Sequence, residues 1–283
     1  MTIRTLVSAR ELAAMQASGD VLVIDCRFDL ADPGKGARDY AAAHIPGAVY
    51  ASLDRDLSDL SKRGLGRHPL PDDVAFSDVL SRWGWRADLD VVAYDEANGA
   101  LAAARLWWLL RLAGHTRSAV LDGGLAAWRE ADLPLETGKS AREPTHAQVV
   151  FDARDVVGFG ELEQRRRAGS VLLLDARAAP RFRGDVEPID PVGGHVPGAL
   201  NRPFGDNLDA DGRFKKPDEL RREFIALLGA CAPTQVAHMC GSGVTACHNL
   251  LAMEHAGLAG SRVFAPSWSG WISDPTRPVA TGQ

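Results

Sequence analysis

Residues 235–249 read QVAHMCGSGVTACHN, an apolar run that stops at Cys240, a glycine-bounded turn, and then a helical pattern. A strand that ends on a thiol and hands over to such a turn lets the N–H groups of Gly241, Ser242, Gly243, Val244 and Thr245 curl around the sulfur. The helix start behind them adds partial positive charge. An anion sits well in that place, and the thiolate form of cysteine is an anion. A free cysteine is otherwise a small buried apolar side chain, but the flanking C-G-S-G-V-T favours the reactive reading. An ordinary thiol ionises near ~8.5, and bringing a thiol to ~7 takes about 2 kcal/mol. A helix N-terminus in partly buried geometry gives up to ~2 kcal/mol, and loop N–H groups add charge-assisted hydrogen bonds. The motif therefore activates a thiol without a dedicated base.

The other thiols lack this setting. Cys247 lies on the following helix and reads as core, and Cys26 and Cys231 read as inert. No C-x-x-C pair suggests structural zinc. His238, two residues before Cys240, shares its strand face and reads as a hydrogen-bonded structural histidine rather than a base.

The elements that must position this loop recur along the chain. VLVIDCR (21–27) returns as VLLLDAR (171–177), AHIPGAV (43–49) as GHVPGAL (194–200), and LPLETG (133–138) is echoed by RPVATG (277–282). A period of about half the chain means two similar domains rather than a solenoid. The expected division is 1–137, a linker over 138–152 whose polar core is GKSAREPTH (138–146), and 153–283. In the first half Ser8 and Glu11 form a capping box. Strands are expected at 21–25, 91–94 and 119–121, and helices over 73–83 and 101–112. In the second half strands are expected at 171–174, 235–239 and 262–264. Helices are expected near 155–168, from Pro217, and from the cysteine turn to about Ala256. Such alternation predicts an α/β fold with a mostly parallel, helix-covered sheet in each domain, with ligands beyond the carboxyl ends of the strands.

Duplication is also an internal control. Asp25/Asp175, Arg27/Arg177, His44/His195, Pro46/Pro197 and Trp128/Trp271 occur twice and read as scaffold. Cys240 occurs once; its counterpart is Asp95, in a longer turn without a thiol. One half is thus expected to carry the reaction and the other to be catalytically silent.

Bulk properties narrow the partners. Hydrophobic content of 46% and charged content of 24% describe an ordinary globular chain. A net charge of −5 argues against nucleic acid or an anionic membrane as partner, so an anionic substrate has to be drawn in by local charge. The N-terminal stretch is too polar for a secretory leader, no run of ~18 apolar residues exists, and the thiols suit a reducing cytoplasm.

The motifs HIPGA, GHVPGA, LDGGLAAW and C-G-S-G-V-T-A (240–246) resemble the tandem-domain rhodanese (sulfurtransferase) family over nearly the whole chain. The loop is similar to that of 3-mercaptopyruvate sulfurtransferases; thiosulfate-preferring relatives carry basic residues where this chain has Gly241 and Ser242. The resemblance implies two rhodanese-like domains with a silent N-terminal one. It implies Cys240 as the nucleophile that becomes a persulfide and Arg181 as the arginine that holds the donor's anionic oxygens. Ser242 matches the serine proposed to assist the cysteine. His68 and Asp54 match a His/Asp pair proposed to complete a triad, although His68 in GRHPLPD also reads as a turn histidine. In place of the family's E-P-R-D the chain has Glu187-Pro188-Ile189-Asp190, which lacks the second arginine; nearby Arg183 is the substitute the sequence offers. Ala265-Pro266-Ser267-Trp268 replaces D-G-S-W and reads as a local turn variant.

The implied partners are a small anionic sulfur donor and an acceptor such as cyanide, glutathione or a thioredoxin-type dithiol. No metal or organic cofactor is required by this chemistry. A rival reading as a cysteine phosphatase needs an arginine where C-x5-R would place it, and that position is Ala246. A non-catalytic sulfur carrier stays open at this stage, as does thiosulfate as donor.

Overall fold

The computed structural model describes residues 5–19 and 21–282. The first four residues of the stretch read for a leader, and Gln283 at the end of the expected second domain, lie outside them. Two compact units form. One comprises Met1–Asp59, Leu70–Asp152 and Ala210–Phe214, the other Leu60–Pro69, Ala153–Asp209 and Lys215–Gln283.

The first unit runs β1 (Leu6–Val7), α1 (Ala9–Ser18), β2 (Val21–Asp25), α2 (Lys35–Ala42), β3 (Val49–Tyr50), α3 (Asp73–Arg82), β4 (Asp90–Tyr94), α4 (Ala103–Leu112), β5 (Ser118–Leu121) and α5 (Gly124–Glu130). Its sheet order is β1-β5-β4-β2-β3, with every pair parallel. The second unit runs β6 (Val156–Val157), α6 (Phe159–Arg167), β7 (Leu172–Asp175), α7 (Ala179–Arg183), β8 (Leu200–Asn201), α8 (Pro217–Leu228), β9 (Val236–Met239), α9 (Ala246–His255), β10 (Arg262–Phe264) and α10 (Ser267–Trp271). Its order, β6-β10-β9-β7-β8, is the same topology, again all parallel.

Every residue of β2 and β9 is buried, as parallel strands covered on both faces require. That is why they read as continuous apolar runs rather than alternating ones. The short edge strands β1, β3, β6 and β8 and the short helices α2, α5, α7 and α10 carry too few residues for a clear periodic signal and are not legible in the sequence. Where long elements shifted, a local bond explains it. The helix expected from 101 begins at Ala103 because the N–H groups of Leu101, Ala102 and Ala103 go to the Asp95 carboxylate. The helix expected near 155 begins at Phe159, since 153–155 form a 3-10 turn and 156–157 a strand.

The doubled residues are scaffold in both units. Asp25 and Arg27 form a buried ion pair at 2.7 Å, and Asp175 and Arg177 repeat it at 2.7 Å. Each arginine also donates to a carbonyl, Ala43 at 2.6 Å or Gly194 at 2.7 Å. Breaking such a pair strands a buried charge, at a cost of about 3–5 kcal/mol. His44 and His195 each hold a carbonyl through Nδ1 at 2.8 Å, and Trp128 and Trp271 donate to the carbonyls of Pro134 and Pro278.

The segment after Gly138 lies along α3. The N–H groups of Thr145, Ala147 and Val149 donate to Ser81 O, Ser81 Oγ and Ser77 Oγ at 2.9–3.0 Å.

Candidate active site

β9 ends at Met239, and Cys240 opens the turn that leads to α9. The turn is fixed from three sides. The Cys240 N–H donates to Ser267 Oγ at 3.1 Å. The Trp268 and Ser269 N–H groups donate to the carbonyls of Cys240 and Gly241, each at 2.9 Å. Gly243, at φ +78°, turns its own N–H back onto the Cys240 sulfur at 3.2 Å. The sulfur is thereby seated on a main-chain donor at the start of α9, where peptide dipoles favour negative charge. Cys240 is 2% exposed.

Ser267 adopts φ +52°, a left-handed conformation that costs a non-glycine residue about 1 kcal/mol or more. The equivalent position in the first unit is Gly124, at φ +56°. There Leu125 N–H bonds Asp95 O as Trp268 N–H bonds Cys240 O. The second unit tolerates the strain and places a hydroxyl on the Cys240 amide.

The segment Leu60–Pro69 belongs to this second unit and brings two side chains to the loop. His68, 4% exposed, sets Nδ1 2.8 Å from Ser242 Oγ. Arg67 places Nη1 3.8 Å from the point where a Cβ on Gly241 would lie. Arg181, from α7, places Nη1 and Nη2 3.8 and 3.7 Å from the same point. Arg181 is pinned by Glu187, with Nε to Oε1 and Oε2 at 3.0 and 3.1 Å. Its Nη2 meets Asp190 Oδ2 at 3.0 Å, and Asp190 Oδ1 pairs with Arg67 Nη2. Burial pushes the Glu187 carboxyl up, but the Arg181 hydrogen bond and the N–H groups of Asp190 and Ile189 outweigh it and hold the carboxyl below its usual range. Burial raises the Asp190 carboxyl, with Glu187 adding to the rise and the two arginines opposing it.

Known proteins share this fold and sequence. Residues 8–131 and 159–274 each match the Rhodanese-like domain. The chain belongs to the rhodanese family of sulfurtransferases. A probable 3-mercaptopyruvate sulfurtransferase of Pseudomonas aeruginosa is 50% identical over the whole of both chains. A putative thiosulfate sulfurtransferase, SseB, of Mycobacterium tuberculosis is 43% identical over 99% of this chain and 98% of its own. The crystal structure of SseA from Escherichia coli, a 3-mercaptopyruvate sulfotransferase, is 31% identical and superimposes with a TM-score of 0.79, covering 94% of this chain and 100% of that one.

Within this rhodanese fold the expected residues Cys240, Gly241, Ser242, Gly243, Val244 and Thr245 form one turn, and Arg181 and His68 reach it. Asp54 lies half-buried in the first unit, between β3 and α3; burial raises its carboxyl against the opposing charge of Arg55. Arg183 does not take the place of the missing arginine: it is half-exposed and paired with Asp185 at 2.8 Å. The guanidinium that does border the loop, Arg67, was missed. The sequence held no signal for it: G-R followed by P-D occurs at 66–72 and again at 212–218, and residues found in both halves read as scaffold. Cys247 and Cys26 are buried, with sulfurs turned to the carbonyls of Gly243 and Ile24, and burial pushes the Cys26 thiol well up. In the first unit the Asp95 carboxylate fills the corresponding turn. It accepts N–H bonds from Ala97, Gly99, Leu101, Ala102 and Ala103.

Proposed function

We propose that this chain moves a sulfane sulfur from 3-mercaptopyruvate to a thiol or cyanide acceptor through a persulfide on Cys240. The Cys240 thiolate attacks the donor sulfur. The Cys240 S–S bond forms as the C–S bond breaks, and the electron pair leaves on carbon as the enolate of pyruvate. That carbanion takes the proton carried by the donor sulfur, leaving pyruvate and an ionised persulfide. An acceptor thiolate then attacks the outer sulfur and restores the Cys240 thiolate; with cyanide the product is thiocyanate. Glutathione or a thioredoxin-type dithiol suits the acceptor role, and with a dithiol the second thiol closes a disulfide and releases hydrosulfide.

The single observation that carries this reading is the Cys240 sulfur held on the Gly243 N–H, in a turn whose next residue, Gly241, is bordered by the Arg181 guanidinium. A main-chain donor that stabilises a thiolate also stabilises the anionic persulfide, and the Gly243 N–H is the one that reaches the sulfur. Arg181 orients the donor carboxylate, and Ser242, coupled to His68, sits one residue past the glycine that borders it. The first half, with Asp95 in the cysteine position, acts as a silent domain. The family loop with Gly241 and Ser242 favours the keto acid donor; the name of the Mycobacterium tuberculosis relative supports thiosulfate as a second reading.

Among the described residues no helix is long and apolar enough to cross a membrane, and no cluster of ligands that could hold a metal occurs. The free thiols suit the cytoplasm.

Turnover with 3-mercaptopyruvate and with thiosulfate, using cyanide as acceptor, tests the donor. Mass spectrometry after donor treatment should show one added sulfur on the protein and none on Cys240→Ser. Undiminished turnover in that variant would remove Cys240 from the mechanism.

A further inference from the structure

The loop next to Cys240 is bordered by two guanidinium groups, and residue 189, the family's position for the second, is isoleucine. We propose that Arg67 is the second arginine of the donor site, a specificity-determining residue delivered by the 60–69 segment. This rests on Cys240 as the nucleophile.

Arg67 and Arg181 approach the same point above Gly241, their Nη1 atoms each 3.8 Å from it. Among the described residues neither Nη1 has a hydrogen-bond acceptor, while the other nitrogens of Arg181 and Nη2 of Arg67 are engaged by Glu187 and Asp190. One carboxylate, Asp190, uses its two oxygens to tie the two forks together. The result is a pair of fixed, unspent N–H corners at Gly241, the residue after Cys240. Charge counting leads to the same place. Without Arg67 the two carboxylates Glu187 and Asp190 would outnumber Arg181 and repel an incoming anion. With Arg67 the cluster is balanced and presents directed donors.

The arm that carries Arg67 is held on both sides of it. Gly66 stands at φ +93°, where a Cβ would come within 2.5 Å of the Pro266 carbonyl oxygen, so only glycine fits. The Arg67 N–H donates to Ser269 Oγ at 3.0 Å, and His68 bonds Ser242. The repeat supplies the contrast. Arg213, the counterpart of Arg67, has Nη2 on Glu130 at 2.8 Å and Nη1 toward the Asp122 carbonyl at 3.4 Å. Two donor forks side by side match an α-keto carboxylate, whose carboxylate and adjacent carbonyl oxygen lie in one plane.

The test uses the full chain with Arg67→Gln, Arg67→Lys and, as control, Arg213→Gln. Arg67→Gln should raise the KM for 3-mercaptopyruvate by about 10-fold or more, the range of a lost charge-assisted hydrogen bond, with kcat within about threefold. Arg67→Lys keeps the charge and loses the fork, and should raise KM by about threefold or more. Arg213→Gln should match wild type. A second readout avoids turnover: the rate of Cys240 alkylation by iodoacetate, which carries a carboxylate, relative to neutral iodoacetamide. That ratio should fall about fivefold or more in Arg67→Gln while the iodoacetamide rate holds, which also shows the loop intact. Unchanged KM and unchanged ratio in both Arg67 variants, with iodoacetamide still reacting at Cys240, overturn the proposal. Failure of iodoacetamide to modify wild-type Cys240 would instead overturn the reading of Cys240 itself.

Discussion

The imidazole Nδ1 of His68 lies 2.8 Å from the hydroxyl oxygen of Ser242, two residues beyond Cys240, and both side chains are buried. A short contact out of water ties the arm 60–69 to the cysteine turn. It also gives the serine hydroxyl a defined proton relationship, with the imidazole accepting from Oγ or donating to it according to tautomer.

Because the two groups act as a unit, their substitutions should not add. Ser242→Ala and His68→Gln are each expected to lower kcat by about 10-fold to 100-fold, and the double variant no further than the worse single one. Steady-state kinetics with 3-mercaptopyruvate and cyanide measure this. Multiplicative losses would mean two independent roles, and wild-type kcat in either single variant would reduce the contact to packing.

A different relationship holds the main chain of the nucleophile. Ser267 Oγ accepts the Cys240 N–H at 3.1 Å and donates to Phe264 O at 3.1 Å, from a left-handed backbone that its counterpart Gly124 adopts without penalty. Ser267→Ala keeps the strain and leaves a buried amide unpaired, for an expected loss of about 2–3 kcal/mol. Ser267→Gly loses the same bond but relieves about 1 kcal/mol of strain, so it should be the more stable of the two. Urea unfolding of both variants decides this, and the reverse order would show that the serine is not strained.

Much of this was legible beforehand, and the reason is physical. Parallel strands buried on both faces leave continuous apolar runs, so β2, β4, β7 and β9 could be read to within a residue or so. The turn after Cys240 was legible because a glycine-rich stretch between an apolar run and a helical pattern marks a strand-to-helix loop. The Asp95 equivalence emerged because the repeat aligned it. What escaped depends on contacts far apart in sequence. Nothing near Arg67 marks it as a neighbour of Gly241. The edge strands are two residues long, and α2 shows itself only once Gly36 is seen under the Arg27 carbonyl, where a Cβ would come within 2.0 Å. The start of α4 was misplaced by the Asp95 carboxylate, which takes up N–H groups of residues just ahead of the helix. A sequence pattern records hydrophobic period, not which side chain satisfies which amide.

The last prediction concerns His238, which lies on β9 two residues before Cys240. Its Nε2 lies 3.0 Å from Ser261 Oγ, and its buried Nδ1 has no partner among the described residues. Burial alone lowers its pKa from 6.5 to about 3, so the folded protein keeps it neutral while the unfolded chain takes up a proton below about 6.5. The unfolded state then binds more protons, and stability, full above that pH, is lost progressively as pH falls toward about 3. Between pH 7 and pH 5 this single group should remove about 2 kcal/mol from the unfolding free energy. His238→Gln keeps a partner for Ser261 and cannot titrate, so its unfolding free energy should fall less over the same interval by about that amount. Urea unfolding of both proteins at the two pH values measures the difference. Equal pH slopes would mean that the imidazole is protonated in the folded state, which its dry surroundings do not permit without structural change.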